Sequence, residues 1–183
     1  MLRRAAVAVV LLVLLLVAGG VATARSTPDL GASGPTEVTG TEATAVFTVG
    51  DRTVRQVRYV EGGTLHYTFR LTNHGRLPVT LSLSAQQSDP RLFSFSGLTG
   101  PDGERSVRLG AGEAKAVTLA LLMGGCETLS SRSGSFVPDV LLRTEQAGVF
   151  EDEVRVALPE ELHTGSPREA FCPNSTATSR PPG

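Results

Sequence analysis

The sequence predicts an all-β domain built as a sandwich of antiparallel strands. Apolar and polar residues alternate with a period of two over most of residues 45–158, which is typical of strands that bury one face. Turns rich in Gly and Pro divide this region into roughly eight or nine short strands. No window shows an amphipathic helix of three turns. A small β-barrel is the architectural alternative.

The N-terminal segment predicts export. Two arginines precede the 20 uncharged residues 5–24, which are mostly apolar and end in small side chains. This composition is that of a secretory signal peptide, and cleavage between Ala24 and Arg25 fits its small-residue site. An uncleaved transmembrane anchor is the alternative, because a segment of this length spans a bilayer. Both readings predict a hydrophobic helix within residues 1–24 and an extracytoplasmic remainder, either secreted or anchored to the cell membrane.

Two polar segments flank the predicted domain, which covers residues 44–172. Residues 25–43 are rich in Ser, Thr, Gly and Pro and have no hydrophobic period, so they predict a flexible linker. Residues 173–183 have a similar composition and predict a disordered tail.

The clearest strand covers residues 65–72, where four apolar side chains alternate with polar ones. Residues 79–85 repeat the pattern after a turn at 73–78, so the two segments predict consecutive antiparallel strands. Gly50-Asp51 predicts a hairpin between two earlier segments. The remaining predicted strands are 45–49, 53–59, 92–96, 106–109, 116–122, 139–144 and 149–158.

The apolar face of each strand predicts the core of the sandwich. Burying one of these side chains stabilises the fold by roughly 1.5–3 kcal/mol. Phe93 and Phe95 alternate with serines and are also expected to point inward. The predicted core residues are Val57, Leu65, Tyr67, Phe69, Leu71, Val79, Leu81, Leu83, Val117, Leu119, Leu121, Val140, Leu142, Val154 and Val156.

The turn after the strand 65–72 resembles a turn of bacterial immunoglobulin-like domains. The segment contains Asn73, Gly75 and Pro78 and continues into Val-Thr-Leu, which is similar to the N-x-G…P-V-T-V pattern of that group. The turn at 110–113, before the next Val-Thr-Leu, resembles their later hairpin.

This resemblance covers residues 45–158 and implies an immunoglobulin-like or fibronectin-III-like sandwich in an exported protein. It implies no catalytic residue, because such domains carry many functions. Lys115 is the single lysine beside sixteen arginines, a preference that indicates a GC-rich genome.

The two cysteines, Cys126 and Cys172, predict one disulfide bond. Cysteines of exported chains with only two usually pair. The bridge would tie the segment 159–173 back onto the sandwich. Free thiols or a bridge between two chains are the alternatives.

Residues that could carry chemistry are few. His66 and His74 lie on a polar strand face and in the adjoining turn, and they are the candidates for a metal site, with solvated histidines as the alternative. No nucleophile, phosphate-binding or zinc-protease motif is present, so we predict no catalytic residue and no cofactor. The acidic groups at 151–153 and 160–161, like His163 in the C-terminal segment, are interpreted as solvated surface residues.

Charge and composition narrow the function further. The 17 basic and 18 acidic residues give a net charge of −1, which argues against nucleic acid as a partner. We therefore predict a non-catalytic, exported interaction or structural module that contacts a protein or another envelope component. The polar loop 124–138 is the predicted contact region, with Phe136 as a contact residue or a core anchor. An extracytoplasmic small-ligand or metal-binding protein is the alternative function.

Overall fold

The computed structural model describes Leu11 and residues 27–87, 92–125 and 134–164. Within these residues the chain forms two packed β-sheets, which confirms the all-β sandwich. The strands are β1 (Leu30–Thr39), β2 (Thr44–Val49), β3 (Arg52–Val57), β4 (Thr64–Asn73), β5 (Val79–Leu83), β6 (Phe93–Thr99), β7 (Val107–Leu109), β8 (Ala114–Met123), β9 (Phe136–Gln146) and β10 (Phe150–His163).

The predicted termini fall almost entirely outside this description. Residues 1–24, apart from Leu11, and residues 173–183 are not among the described residues, so the predicted leader and tail remain predictions. In the part that is described, no helix is long and apolar enough to cross a membrane.

The strands divide into two sheets. Sheet A has the order β1-β4-β8-β6, and sheet B has the order β2-β3-β10-β9-β5-β7. Neighbouring strands pair antiparallel except β3 and β10, which run parallel over a short register from Glu161 opposite Val54 to His163 opposite Gln56. This parallel pairing attaches the β2–β3 hairpin to the C-terminal end of β10.

The core lies between the sheets and follows the predicted alternation. On β4, the side chains of Leu65, Tyr67, Phe69 and Leu71 are all fully buried. Of the 15 predicted core residues, all are buried except Leu83 and Val154, which are half-buried and pack against the others. Phe93 is also buried, as predicted.

Strand β1 corrects the predicted linker. Residues 30–39 pair with β4, although residues 25–43 had been assigned to a flexible connection. The register breaks between Ser33 and Glu37, and the Gly, Pro, Ser and Thr residues around the break give this segment the composition of a linker. Leu30, Ala32 and Val38 nevertheless pack against the core. The domain therefore includes residues that composition alone had excluded.

Strand β10 is longer than predicted and places the residues of the candidate site. The predicted strand ends at residue 158, because Pro159 cannot donate a hydrogen bond to a neighbouring strand. In the structure the register with β9 shifts between Ala157 and Leu162, and the strand continues on the far side of the shift. The proline is accommodated within this irregular segment, and β10 then pairs with β3.

Asn73 explains the turn on which the immunoglobulin resemblance rests. Its fully buried side-chain amide donates hydrogen bonds to the carbonyl oxygens of Leu77 (2.8 Å) and Gly110 (3.0 Å). Its side-chain oxygen accepts one from the backbone N–H of Gly75 (2.9 Å). One side chain thus joins the β4–β5 turn to the turn before β8.

Candidate functional site

A cluster of aromatic and charged side chains lies on the outer face of sheet B. Side chains of opposite residues in paired strands share a face. His163 of β10 is opposite Phe136 of β9, and Glu161, two residues earlier, is opposite Val54 of β3. Arg52, two residues before Val54, is on the same face. We call Arg52, Phe136, Glu161 and His163 the aromatic cluster.

The contacts within the aromatic cluster hold its side chains in defined positions. The rings of Phe136 and His163 stack with centroids 4.2 Å apart and planes 22° apart. The guanidinium carbon of Arg52 lies 5.7 Å from the centre of the Phe136 ring, within the range of a cation–π contact. Arg52 also forms a two-point ion pair with Glu161, in which Nε donates to Oε1 and an amino group donates to Oε2. Burial lowers the pKa of His163, which favours the neutral imidazole.

The cluster remains accessible. The Phe136 side chain is 45% exposed, which is high for an aromatic residue. Aromatic residues and arginine are enriched in protein interfaces, where they contribute most of the binding energy. The cluster can therefore offer a partner a rigid ring, a cation and an anion on one surface.

Strand β2 extends the apolar surface at this end of sheet B. All six of its residues are exposed, and the values for Val46, Phe47 and Val49 are 48%, 39% and 55%. Phe47 is opposite Val54, so its ring lies on the same outer face as the aromatic cluster. Most of the large exposed apolar side chains in residues 27–87, 92–125 and 134–164 are therefore on β2 or at the start of β9.

An open cleft lies beside the β2–β3 hairpin. Its volume is about 410 Å³, and Ala43, Thr44, Val57, Tyr59 and Thr164 are among the residues that line it. The size falls in the range of small-molecule pockets.

A polar cluster lies inside the sandwich, on the inner face of β3 and β10. Arg55 of β3 and Glu160 of β10 form a two-point ion pair, with Nε to Oε2 at 2.5 Å and an amino group to Oε1 at 3.0 Å. Their side chains are only 13% and 12% exposed. The Thr36 hydroxyl donates to Glu160 and accepts from Arg55, which fixes β1 to both strands.

The interior ion pair has a structural role. The hydrogen bond between the Arg55 guanidinium and the Glu160 carboxylate raises the pKa of Arg55. The buried hydroxyl of Tyr67 lies nearby, and its pKa is raised first by burial and then by the negative charge of Glu160. Such a pair specifies how β1, β3, β4 and β10 meet, and it offers no accessible reactive group.

The structure separates the two histidines considered for a metal site. His66 is on β4 and exposed, whereas His74 follows the end of that strand, where its backbone N–H donates to Asp29. At the rise of an extended strand, the eight-residue separation corresponds to roughly 25 Å. The two imidazoles therefore cannot bind one ion. No group of three or more His, Cys, Asp or Glu that could hold a metal is found among the described residues.

The acidic residues have partners, and two of them correct the prediction. Glu151 pairs with Arg143 at 2.6 Å, Asp152 accepts from Thr27 at 3.0 Å, and Glu153 accepts from Ser84. These three are exposed, in agreement with the interpretation as surface charge. Glu160 is not, because it shares the face of β10 with the buried Leu158 and Leu162 and points to Arg55 in the interior. Glu161 and His163 on the other face are also partly buried, with the Glu161 side chain 18% exposed, so they are not the solvated residues predicted.

Other predicted site residues lie outside the description. Cys126 and Cys172, and the cleavage site at Ala24 and Arg25, are not among the described residues, and neither is most of the loop 124–138. Phe136 at the end of that loop is an exposed strand residue, which supports its interpretation as a contact residue.

Sequence reasoning did not identify Arg52, Glu161 and His163 as neighbours of Phe136. The signal that could have indicated them is the alternation of Glu161 and His163 after Pro159. It was hidden because a proline normally ends a strand prediction.

Comparison with solved structures gives likenesses at low sequence identity. No protein-family model matches the chain, and none of the curated proteins compared with it is significantly similar in sequence. The crystal structure of the cupredoxin domain of amoB from Nitrosocaldus yellowstonii aligns with a TM-score of 0.28 and 13% identity. The alignment covers 66% of this chain and 65% of that one, which is less than two thirds of its length. A likeness of this extent is not evidence of a shared function.

Proposed function

We propose that this chain is a non-catalytic, exported protein of the cell envelope, whose immunoglobulin-like sandwich binds a protein partner through the aromatic cluster. The observation that carries the proposal is the exposed Phe136 ring, which stacks on His163 and lies beneath the guanidinium of Arg52 on a rigid sheet. Stacking on His163 restricts the ring before a partner arrives, so little conformational entropy is lost on binding.

The strand order supports the immunoglobulin-like part of the proposal. In immunoglobulin sandwiches one sheet has the order A-B-E-D, and strands C, F and G form the other. The order β1-β4-β8-β6 corresponds to the first, and β10-β9-β5 corresponds to G-F-C. The hairpin β2–β3 and the short β7 are additions to this arrangement. The leader predicted at residues 1–24 supports export, with the domain either released or anchored.

In-cell photo-crosslinking tests the proposed contact surface. A photoreactive amino acid replaces Phe136 in the full chain, and a matched control replaces Val149, which is 74% exposed in the turn between β9 and β10. We expect a discrete adduct with another protein from position 136 and only background labelling from position 149. Equal labelling from the two positions would contradict the proposal.

A second substitution tests whether the cluster acts as a unit. Arg52→Ala in the background of the probe at Phe136 removes the cation above the ring and the partner of Glu161. Loss of a dominant interface side chain costs about 2 kcal/mol or more, so the adduct yield should fall roughly tenfold or more at limiting partner. An unchanged yield would exclude Arg52 from the contact.

The cleft beside the hairpin favours a second candidate, binding of a small apolar ligand. Tyr59, Val57 and Ala45 supply part of its lining. A thermal-shift screen of small apolar compounds tests this function, with Ala45→Arg as the variant that fills the cleft. A ligand that raises the Tm of the wild type but not of this variant would support it, and the absence of any such compound would exclude it.

A further inference from the structure

Strand β2 differs from the other three described edge strands of the two sheets. The edge strand β1 has a register break between Ser33 and Glu37, and β6 has one between Phe95 and Gly97. The edge strand β7 has only three residues, including Arg108. Strand β2 has six residues in unbroken register, with no charge, proline or glycine. Edge strands are normally protected against pairing by such features, and β2 has none of them.

Every second residue of β2 turns its backbone groups away from β3. The hairpin closes with Val49 opposite Arg52 around a two-residue turn, so these two residues exchange hydrogen bonds. The same alternation is evident at the other end, where the N–H of Arg58 donates to the carbonyl oxygen of Ala43 at 2.9 Å. The residues whose N–H and C=O groups point away from β3 are Thr44, Val46 and Thr48, and no other strand of the described residues pairs with this edge.

These three residues read the same in both directions, Thr-x-Val-x-Thr, and this symmetry identifies the occupant. We propose that two copies of the chain pair antiparallel along β2, with the two Val46 residues opposite each other at a two-fold axis. Thr44 of each copy then lies opposite Thr48 of the other. Each of the three pairs exchanges two backbone hydrogen bonds. The pairing uses the same edge of both copies, so it closes as a dimer.

The side chains are complementary in this register. Threonines opposite each other form a favourable cross-strand pair. On the outer face Phe47 lies opposite Ala45 of the second copy, so a large ring meets a small side chain. Glu42 falls opposite Gly50, and therefore no charge faces a like charge. This dimer rests on the proposed function only in treating this end of sheet B as a contact surface.

Cysteine crosslinking in the full chain tests the two-fold register. In a hydrogen-bonded antiparallel pair the Cα atoms are about 5.5 Å apart, a separation that a disulfide bond can span. Val46→Cys should therefore give a covalent dimer on a non-reducing gel after mild oxidation. Val149→Cys is the matched control, because Val149 is exposed and distant from β2, and it retains the same native cysteines. A dimer band that is equally strong in both variants would overturn the proposal.

A charge at the axis tests the same contact without a covalent bond. Val46→Lys places two ammonium groups opposite each other, while the exposed position tolerates the side chain in a single copy. The mass measured by light scattering should fall by half relative to the wild type, and Val149→Lys should leave it unchanged. A wild-type mass of one copy over the tested concentrations would overturn the dimer. Adducts from the probe at Phe136 with a different protein would still support the proposed function, so the two failures are distinguishable.

Discussion

The imidazole of His163 stacks on the ring of Phe136, with 4.2 Å between the ring centroids. The two residues are opposite each other in the pairing of β10 with β9, so the strand register itself brings the rings together. Half-burial of the imidazole favours its neutral form, and the pKa of His163 is lowered as a result. The stack therefore links the candidate contact surface to pH.

The first prediction concerns stability near neutral pH. A histidine has a pKa of about 6.5 in an unfolded chain, and the pKa of His163 is lower in the folded one. Between these values the unfolded chain binds more protons, so the free energy of unfolding falls as pH decreases through about 6.5 and levels off below the folded pKa. Urea denaturation between about pH 8 and pH 5.5 measures this slope, above the range in which carboxylates titrate.

Two variants assign the slope to His163. His163→Phe keeps a ring against Phe136, and His163→Gln does not, but neither residue titrates. Both variants should lose the part of the slope that the wild type shows in this window. A slope that persists in both variants would mean that another group is responsible.

The second prediction compares the interior ion pair with the one on the surface. Glu160→Gln leaves Arg55 without its charge partner in a site that is mostly closed to water, and such a loss costs about 3 kcal/mol. Glu161→Gln makes the same chemical change one residue later, in the ion pair with Arg52, whose side chain is 53% exposed, and a pair with a solvated partner contributes about 1 kcal/mol or less. Free energies of unfolding from urea titration measure both. Equal losses would contradict the structural role given to Glu160.

Alternation predicted the inside of this domain well but not its irregular strands. The residues of β4 and β8 face the core as their period of two requires, because both strands run straight between two neighbours. The sequence predicts a linker in place of β1 and an end of β10 at residue 158. In both strands the residues that reach the core are an even number of positions apart, Leu30, Ala32 and Val38 in β1 and Val156, Leu158 and Leu162 in β10, but the glycines and prolines beside them favour a linker or a strand end.

The candidate site could be predicted only in part for the same reason. The place of Phe136 near the end of the polar loop 124–138 predicts a contact residue, with a core anchor as the alternative. To predict its neighbours Arg52, Glu161 and His163, one must know that β10 continues past Pro159. One must also know that β10 pairs with β3, which lies more than 100 positions earlier in the sequence. The free edge of β2 likewise depends on the strand order of sheet B.

The third prediction concerns Asn73. Asn73→Asp replaces the side-chain donor with a second acceptor that faces the carbonyl oxygens of Leu77 and Gly110. Loss of these bonds in a buried position should lower the free energy of unfolding by about 3 kcal/mol. Asn73→Asp keeps an acceptor for the N–H of Gly75, whereas Asn73→Ala loses that contact as well. At a pH low enough to protonate the new carboxyl group, Asn73→Ala should therefore be at least as destabilising as Asn73→Asp. Thermal and urea unfolding measure the loss, and wild-type stability for Asn73→Asp would contradict this account of the turn.

The last prediction is the disulfide bond between Cys126 and Cys172, two residues that lie outside the described part of the chain. Thr164 and Ser135 are joined by two hydrogen bonds, from the Thr164 N–H to the Ser135 carbonyl and from the Ser135 N–H to the Thr164 hydroxyl. Cys126 precedes Ser135 by nine residues, and Cys172 follows Thr164 by eight. The bridge would therefore link the segment that follows Gly125 to the segment that follows Thr164.

We therefore expect the intact mass of the exported protein to be lower by two hydrogens than the mass of its reduced form. The bridge would close a loop of about 47 residues, for which the chain-entropy estimate is roughly 4 kcal/mol of stabilisation. Cys126→Ser and Cys172→Ser should each remove this mass difference and lower the Tm by similar amounts, because either change opens the same loop. A mass that reduction leaves unchanged in the wild type, or a Tm that only one of the two variants lowers, would show that the cysteines do not pair.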